Sequence, residues 1–227
     1  MSHGPPMIPY EPPSPPADPL AAAQAFGSHL QTRRSVRHFS TRPVDRFVIE
    51  AIVEAASTAP SGANKQPYRF VLIGDAETKK KIREAAEHEE DLFYAKRATK
   101  EWLEDLEASG TNPCKPFLED APWLLVAFKL MRDDREDRSD GVYYVNESTG
   151  LACGMLLAAA HVAGLATLTH TPSPMAFLRR VLNRPEYERP FLLIPIGWPA
   201  EDCQVPDIQR KPLDQILTVH DPESSSS

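Results

Sequence analysis

The sequence predicts an α+β fold, and three observations carry that reading. Helical and strand-type segments alternate along the chain, and the strand-type segments lie too far apart to pair as hairpins. The third is an Ala- and Gly-rich run without Asp, Glu, Lys or Arg, Leu151 to Leu168, which has the make-up of a core helix. It is about long enough to span a bilayer. It carries His161 and has no basic flank, so burial within a globular domain is the reading adopted.

The elements follow in order. Residues 1–19 hold eight prolines and predict an extended arm, because such a segment can form neither helix nor sheet. Asp18-Pro19 supplies an N-cap and a first-turn proline, opening a helix through "LAAAQAFGSHLQTR". Asp45 caps a second helix, in which Val48, Ile49, Ile52, Val53 and Ala56 recur at helical spacing until Ala59-Pro60. "YRFVLIG" is a strand by its β-branched and aromatic content. A charged helical region from about Glu77 to Ala108 comes next, then the buried strand "WLLVAFK" and the core helix Asn146 to Gly164. "LATLT" is a short third strand, "MAFLRRVLN" a helix and "FLLIPIG" a fourth strand. Residues 20–219 thus read as one domain, and 220–227 as a flexible tail.

Composition narrows the function classes. A chain of 227 residues with 41% apolar side chains can build a sizeable core. Its net charge of −7 excludes a general nucleic-acid binder, which needs a broad basic face. The three cysteines, Cys114, Cys153 and Cys203, suit neither a disulfide framework nor a zinc site, so a reducing cytoplasm is the expected compartment and no metal is expected. Cys153 reads as packing within the core helix, as does His161 as a hydrogen-bonded core histidine.

Against the acidic background stands "QTRRSVRHFS", which sets Arg33, Arg34 and Arg37 around Ser35 just past a helix end. Guanidinium groups match phosphate oxygens in pairs, although an isolated Arg-Arg pair is also what a solvated turn contains. Two other segments bear on that choice. "APSGANKQPYRF" has a small-residue loop, Pro60-Ser61-Gly62-Ala63, where a flat ligand can approach the backbone, and "VPDIQRKPLDQI" brings Arg210.

Together these segments resemble the nitroreductase superfamily of flavin enzymes. Within it, "RRSVRHFS", "TAPSGANKQPYRF", "EEDLFYAKR", "FLEDAPWLL" and "YYVNESTGLACGMLLAA" are similar to the iodotyrosine deiodinase family over roughly four fifths of the chain. The resemblance implies a nitroreductase-like fold with a mixed central sheet flanked by helices, and an interlocked homodimer with FMN at its interface. By position, Arg33, Arg34, Ser35, Arg37, Pro60, Ser61, Thr169, His170, Thr171 and Arg210 would contact FMN. The Ala63 N–H would face the substrate's phenolate. Glu90 and Tyr94 share a helix face four residues apart, and with Lys115 they would hold an amino acid's zwitterion. Trp102 and Leu103 would cover its ring or pack the helix.

The activity implied is reductive dehalogenation of a halotyrosine, with NAD(P)H as electron donor directly or through a reductase. Vertebrate members carry a membrane anchor where this chain has its proline-rich arm. The segment beside flavin N5, threonine-rich in the family, here reads Thr169-His170-Thr171. Strand alternation would point Thr169 and Thr171 one way and His170 the other, which makes Thr171 the expected N5 donor.

Overall fold

The computed structural model describes residues 7–99, 101, 112–136 and 139–220. Trp102, Leu103 and the rest of residues 102–108 of the expected charged helical region lie outside these residues. Within them the helix of that region stops at Lys96, short of the expected end, with residues 97–99 non-helical.

Helix α1 (Pro19–Gln31) begins where Asp18 accepts a hydrogen bond from the Ala21 N–H, and α2 (Arg46–Ser57) where Asp45 accepts from Phe47. Both are side-chain N-caps, which satisfy backbone donors that a helix leaves open at its start. Strand β1 (Tyr68–Ile73) leads to α3 (Ala76–Lys96), capped by Asp75. The four-residue α4 (Phe117–Asp120), absent from the sequence reading, precedes β2 (Trp123–Leu130). Then come α5 (Val145–Val162), β3 (Ala166–Thr167), α6 (Ala176–Val181) and β4 (Glu188–Gly197).

The sheet order is β1-β2-β4-β3. All three strand pairs are antiparallel, with Tyr68 opposite Lys129 and Trp123 opposite Ile196 as register marks. The parallel part of the expected mixed sheet is confined, among the described residues, to one bridge between Ser35 and Thr167. The third strand is shorter than "LATLT". Only Ala166 and Thr167 pair with β4 as a strand; the chain then meets β4 again at a single bridge, His170 to Leu193.

Helices cover both faces, which explains why the runs Trp123–Phe128 of β2 and Pro190–Gly197 of β4 are apolar. Along β2, Leu124, Val126 and Phe128 point into one cluster with Ile82 of α3, Phe117 of α4 and Leu178 of α6. Leu125 points the other way, into a cluster with Ile49 and Ile52 of α2 and Leu156 and Ala160 of α5. Each fully buried leucine or phenylalanine here contributes about 1.5–3 kcal/mol. The core reading of α5 holds for its inner face, where burial pushes the Cys153 thiol up to about 12. His161 departs from it: half-buried on the outer side, its Nε2 lies 2.8 Å from Thr32 Oγ1 and 3.0 Å from the His29 carbonyl oxygen. It is hydrogen-bonded as expected, but it ties α1 to α5 rather than filling the core.

Candidate functional site

The arginine segment is fixed by the sheet edge. Val36 N–H donates to the Thr167 carbonyl at 3.1 Å and Ser40 N–H to that of Trp198 at 2.9 Å, while Val36 and Phe39 are buried. This leaves Arg33, Arg34, Ser35 and Arg37 on the rim of a cavity of about 260 Å³. The late chain closes the opposite side. Arg210 Nη1 and Nη2 donate to the carbonyls of Gln31 (3.0 Å) and Arg33 (2.8 Å), and Arg34 donates to that of Pro206.

The residues lining the cavity include four arginines, with the polar side chains of Ser35 and Gln209, and no carboxylate. Burial, then the like charges of Arg210 and Arg34, push the Arg33 pKa below its ordinary value. Positive charge gathered without a counter-charge is costly unless an anion completes it. Planar forks, a hydroxyl and an amide suit the oxygens of a phosphomonoester. The donor set therefore fits the phosphate end of FMN.

A second cluster lies beyond Arg37. Lys115, with only 1% of its side chain exposed, places Nζ 3.3 Å from Glu90 Oε2 and donates to the Asn112 carbonyl. Its backbone N–H donates to Glu87 Oε1 at 2.7 Å. Burial lowers the Lys115 pKa, the Glu90 carboxylate opposes that, and Arg37 adds to it. The Tyr94 hydroxyl is buried, and the Tyr94 side chain interacts electrostatically with Arg37. The structure thus joins Glu90 directly to Lys115 and brings Tyr94, Lys115 and Arg37, which also lines the arginine cavity, into one electrostatic neighbourhood.

His170 belongs to this cluster too. Its backbone exchanges hydrogen bonds with Leu193 at 2.8 and 3.0 Å, so the side chain is turned inward, edge-on to Phe117 at 5.5 Å. Burial, then Lys115 and Arg37, hold its pKa at about 3, so the imidazole is neutral. Thr169 and Thr171 are exposed and His170 is buried, which is the alternation expected of an extended segment. What the sequence did not disclose is how deep His170 sits; its bridge to β4, formed with a residue 23 positions away, is the cause.

The loop after α2 stands apart. Ala63 (φ 50°), Asn64 (φ 51°) and Gln66 (φ 49°) are left-handed, a state that costs a residue with a Cβ about 1–2 kcal/mol. Gly62 is required where it is, since a Cβ there would meet the Tyr144 ring at 2.9 Å. Asn64 N–H donates to the Ser61 carbonyl and Gln66 N–H to Ser61 Oγ, neither of which uses the Ala63 N–H. Ala63 is exposed, as is Pro60. Pro60, Ser61 and Ala63 do not line the arginine cavity, and among the described residues of one chain no hydrogen bond or ion pair joins them to it or to the Glu90–Lys115 pair.

The chain belongs to the nitroreductase family, whose profile matches residues 30–198. Within that family, it is 51% identical over 222 residues to an iodotyrosine deiodinase of Haliscomenobacter hydrossis, covering 97% of this chain and 100% of the relative. Iodotyrosine deiodinase 1 of Mus musculus is 45% identical over 197 residues, covering 86% of this chain and 69% of the relative. The crystal structure of an oxidized iodotyrosine deiodinase bound to FMN and 3-iodo-L-tyrosine matches with a TM-score of 0.73 at 28% identity. That match covers 86% of this chain and 97% of the other. A nitroreductase with bound FMN from Bacteroides fragilis shares the fold at a TM-score of 0.63 and 19% identity, over 86% and 98% of the two chains.

Proposed function

We propose that this protein is an FMN-dependent reductive dehalogenase that converts 3-iodotyrosine to tyrosine and iodide. One observation carries the proposal: an anion pocket without a counter-charge lies beside a buried acid–ammonium pair, Glu90 and Lys115, with Arg37 between them. The first suits the flavin phosphate, held by Arg33, Arg34, Ser35, Arg37 and Arg210. The second suits a zwitterion, whose α-ammonium displaces Lys115 from Glu90 while its α-carboxylate takes up Lys115, with the Tyr94 hydroxyl as a further donor.

The net reaction replaces a C–I bond by a C–H bond with two electrons and one proton, and releases iodide. Reduced FMN supplies the electrons when bound. The chain's own residues prepare the substrate. An N–H at Ala63 that donates to the phenol oxygen favours the phenolate, and iodine already makes that phenol more acidic than tyrosine's. A proton placed on the iodine-bearing ring carbon gives the keto tautomer, whose C–I bond is more readily reduced. Thr171, on the exposed side of the segment facing away from His170, is the proposed donor to flavin N5 with Thr169 beside it, while the His170 backbone, bonded to Leu193, fixes the segment.

A homodimer accounts for the separated loop, because Pro60, Ser61 and Ala63 of one protomer can complete the site of its partner. An apolar cavity of about 680 Å³ supports such an interface. It lies between α1, α2 and α5, and Phe26, Phe47 and Val162 on its walls are more than half exposed in one chain. No helix among the described residues is long and apolar enough to cross a membrane. NAD(P)H, directly or through a reductase, remains the proposed electron donor and the cytoplasm the proposed compartment.

Anaerobic titration of the reduced, FMN-loaded protein with 3-iodotyrosine tests the reading. One iodide per flavin oxidised is expected. Oxidation by a nitroaromatic or a quinone, with none by iodotyrosine, would instead make this a general nitroreductase. Oxidation by neither would leave a flavin-binding protein with little turnover.

A further inference from the structure

We infer that Lys65 and Asp133 are positioning residues for the phenol end of the substrate, because they clamp the loop that presents the Ala63 N–H. The inference rests on the role proposed above for Ala63. That loop needs an anchor: three of the four residues 63–66 are left-handed, at Ala63, Asn64 and Gln66, and all three are exposed. The fourth, Lys65, has ordinary helical angles (φ −77°, ψ −23°) and turns inward, its side chain 8% exposed.

The inward turn is held at both ends of the residue. Lys65 Nζ lies 3.0 Å from Asp133 Oδ2 and donates to Ser139 O at 2.8 Å and Ser139 Oγ at 3.1 Å. Its carbonyl accepts from Arg135 Nη2 at 3.0 Å. Arg135 in turn donates to both oxygens of Asp133, from Nε and Nη2, at 2.9 Å each. The peptide next to the left-handed pair Ala63–Asn64 is therefore tied through side chain and backbone to one carboxylate, whose own side chain is 2% exposed. A buried ion pair contributes little net stability compared with an apolar pair of the same volume. What it does supply is direction, and here the direction decides where the Ala63 N–H points.

The test uses the oxidised, FMN-loaded protein, in which no turnover occurs, with 3-fluorotyrosine as the probe. Its ¹⁹F shift followed against pH reports the phenol pKa in the bound state. In the wild type that pKa should lie below the value for free fluorotyrosine. Lys65→Met and Asp133→Asn should each raise it back by about one unit or more, while FMN affinity stays within about twofold of wild type.

The aspartate variant separates position from charge. Removing a negative charge near a phenol lowers its pKa through space, whereas releasing the loop raises it. A rise in Asp133→Asn therefore supports the clamp; a fall or no change overturns it. Should one variant lose its flavin, the double variant Lys65→Met/Asp133→Leu removes both charges of the pair while keeping its volume filled, and the same rise is required of it. If the wild type itself shows no lowered pKa, the role of Ala63 fails rather than the clamp alone, and the inference falls with it.

Discussion

In the arginine pocket, four guanidinium groups share a small cavity with no carboxylate on its walls, whereas in the adjoining cluster the one buried ammonium already has its carboxylate 3.3 Å away. Both regions gather cations, half-buried or exposed arginines in one and a buried lysine in the other, yet they carry opposite kinds of charge balance. Backbone carbonyls of Gln31, Arg33 and Pro206 orient the pocket's forks without neutralising them. A bound dianion adds the missing charge, so a ligand that stays with the protein belongs there. The Glu90–Lys115 pair is neutral by itself, and in the proposed role it opens to a ligand that brings both charges. That is how a site recognises a zwitterion and lets it go again: partners are exchanged, and little charge is left unpaired at any stage.

If the two regions differ in this way, the largest effect of mutation is on flavin retention. Arg33→Ala or Arg34→Ala should each cost about 1.5–3 kcal/mol of FMN affinity, roughly 10- to 100-fold, through loss of a charge-assisted bond. The double variant should lose more, though less than the sum, because the two side chains would share one phosphate. Fluorescence titration of the apoprotein with FMN measures this. Retention as tight as wild type in both single variants would reject the pocket as the phosphate site.

The second region should respond differently. Lys115→Ala should weaken iodotyrosine binding by about 1.5–3 kcal/mol and leave a halophenol without the amino-acid end nearly unaffected. Equal losses for both ligands would mean that Lys115 only props the fold, and the contrast between the regions would disappear.

How much of this was legible beforehand depended on how local each signal was. Asp18 and Asp45 mark their helices within three residues, and the apolar runs of β2 and β4 announce strands covered on both faces. The arginine cluster and Arg210 were legible as basic segments in an acidic chain and the trio Glu90, Tyr94 and Lys115 through motif resemblance, and the structure places them in two adjoining groups. By contrast, α4 is a single turn, too short to carry a period, and the third strand is cut to two residues by where β4 runs. The Lys65–Asp133 pair spans 68 positions in a chain dense with charge, so nothing local distinguishes it from solvated neighbours. The burial of His170 was hidden in the same way.

His170 yields the smallest effect and the sharpest probe of whether the two regions pack together, since Lys115 faces it from one and Arg37 from the other. Its pKa falls from an ordinary 6.5 to about 3, burial being the main cause and the two cations adding to it. The native state thus binds fewer protons at this residue than the unfolded chain between these values, and stability must rise with pH across that window. The contribution is whole above pH 6.5 and is lost at about 1.4 kcal/mol per unit as pH falls toward 3. Urea unfolding of the wild type and of His170→Gln at equal, saturating FMN isolates it, because the other titrating groups cancel in the difference. Going from pH 7.5 to 5.5, the wild type should lose about 1.4 kcal/mol more than the glutamine variant. Identical losses would show that His170 takes up a proton freely, which rules out its burial beside Lys115 and Arg37 and with it the contact of the two regions through this residue.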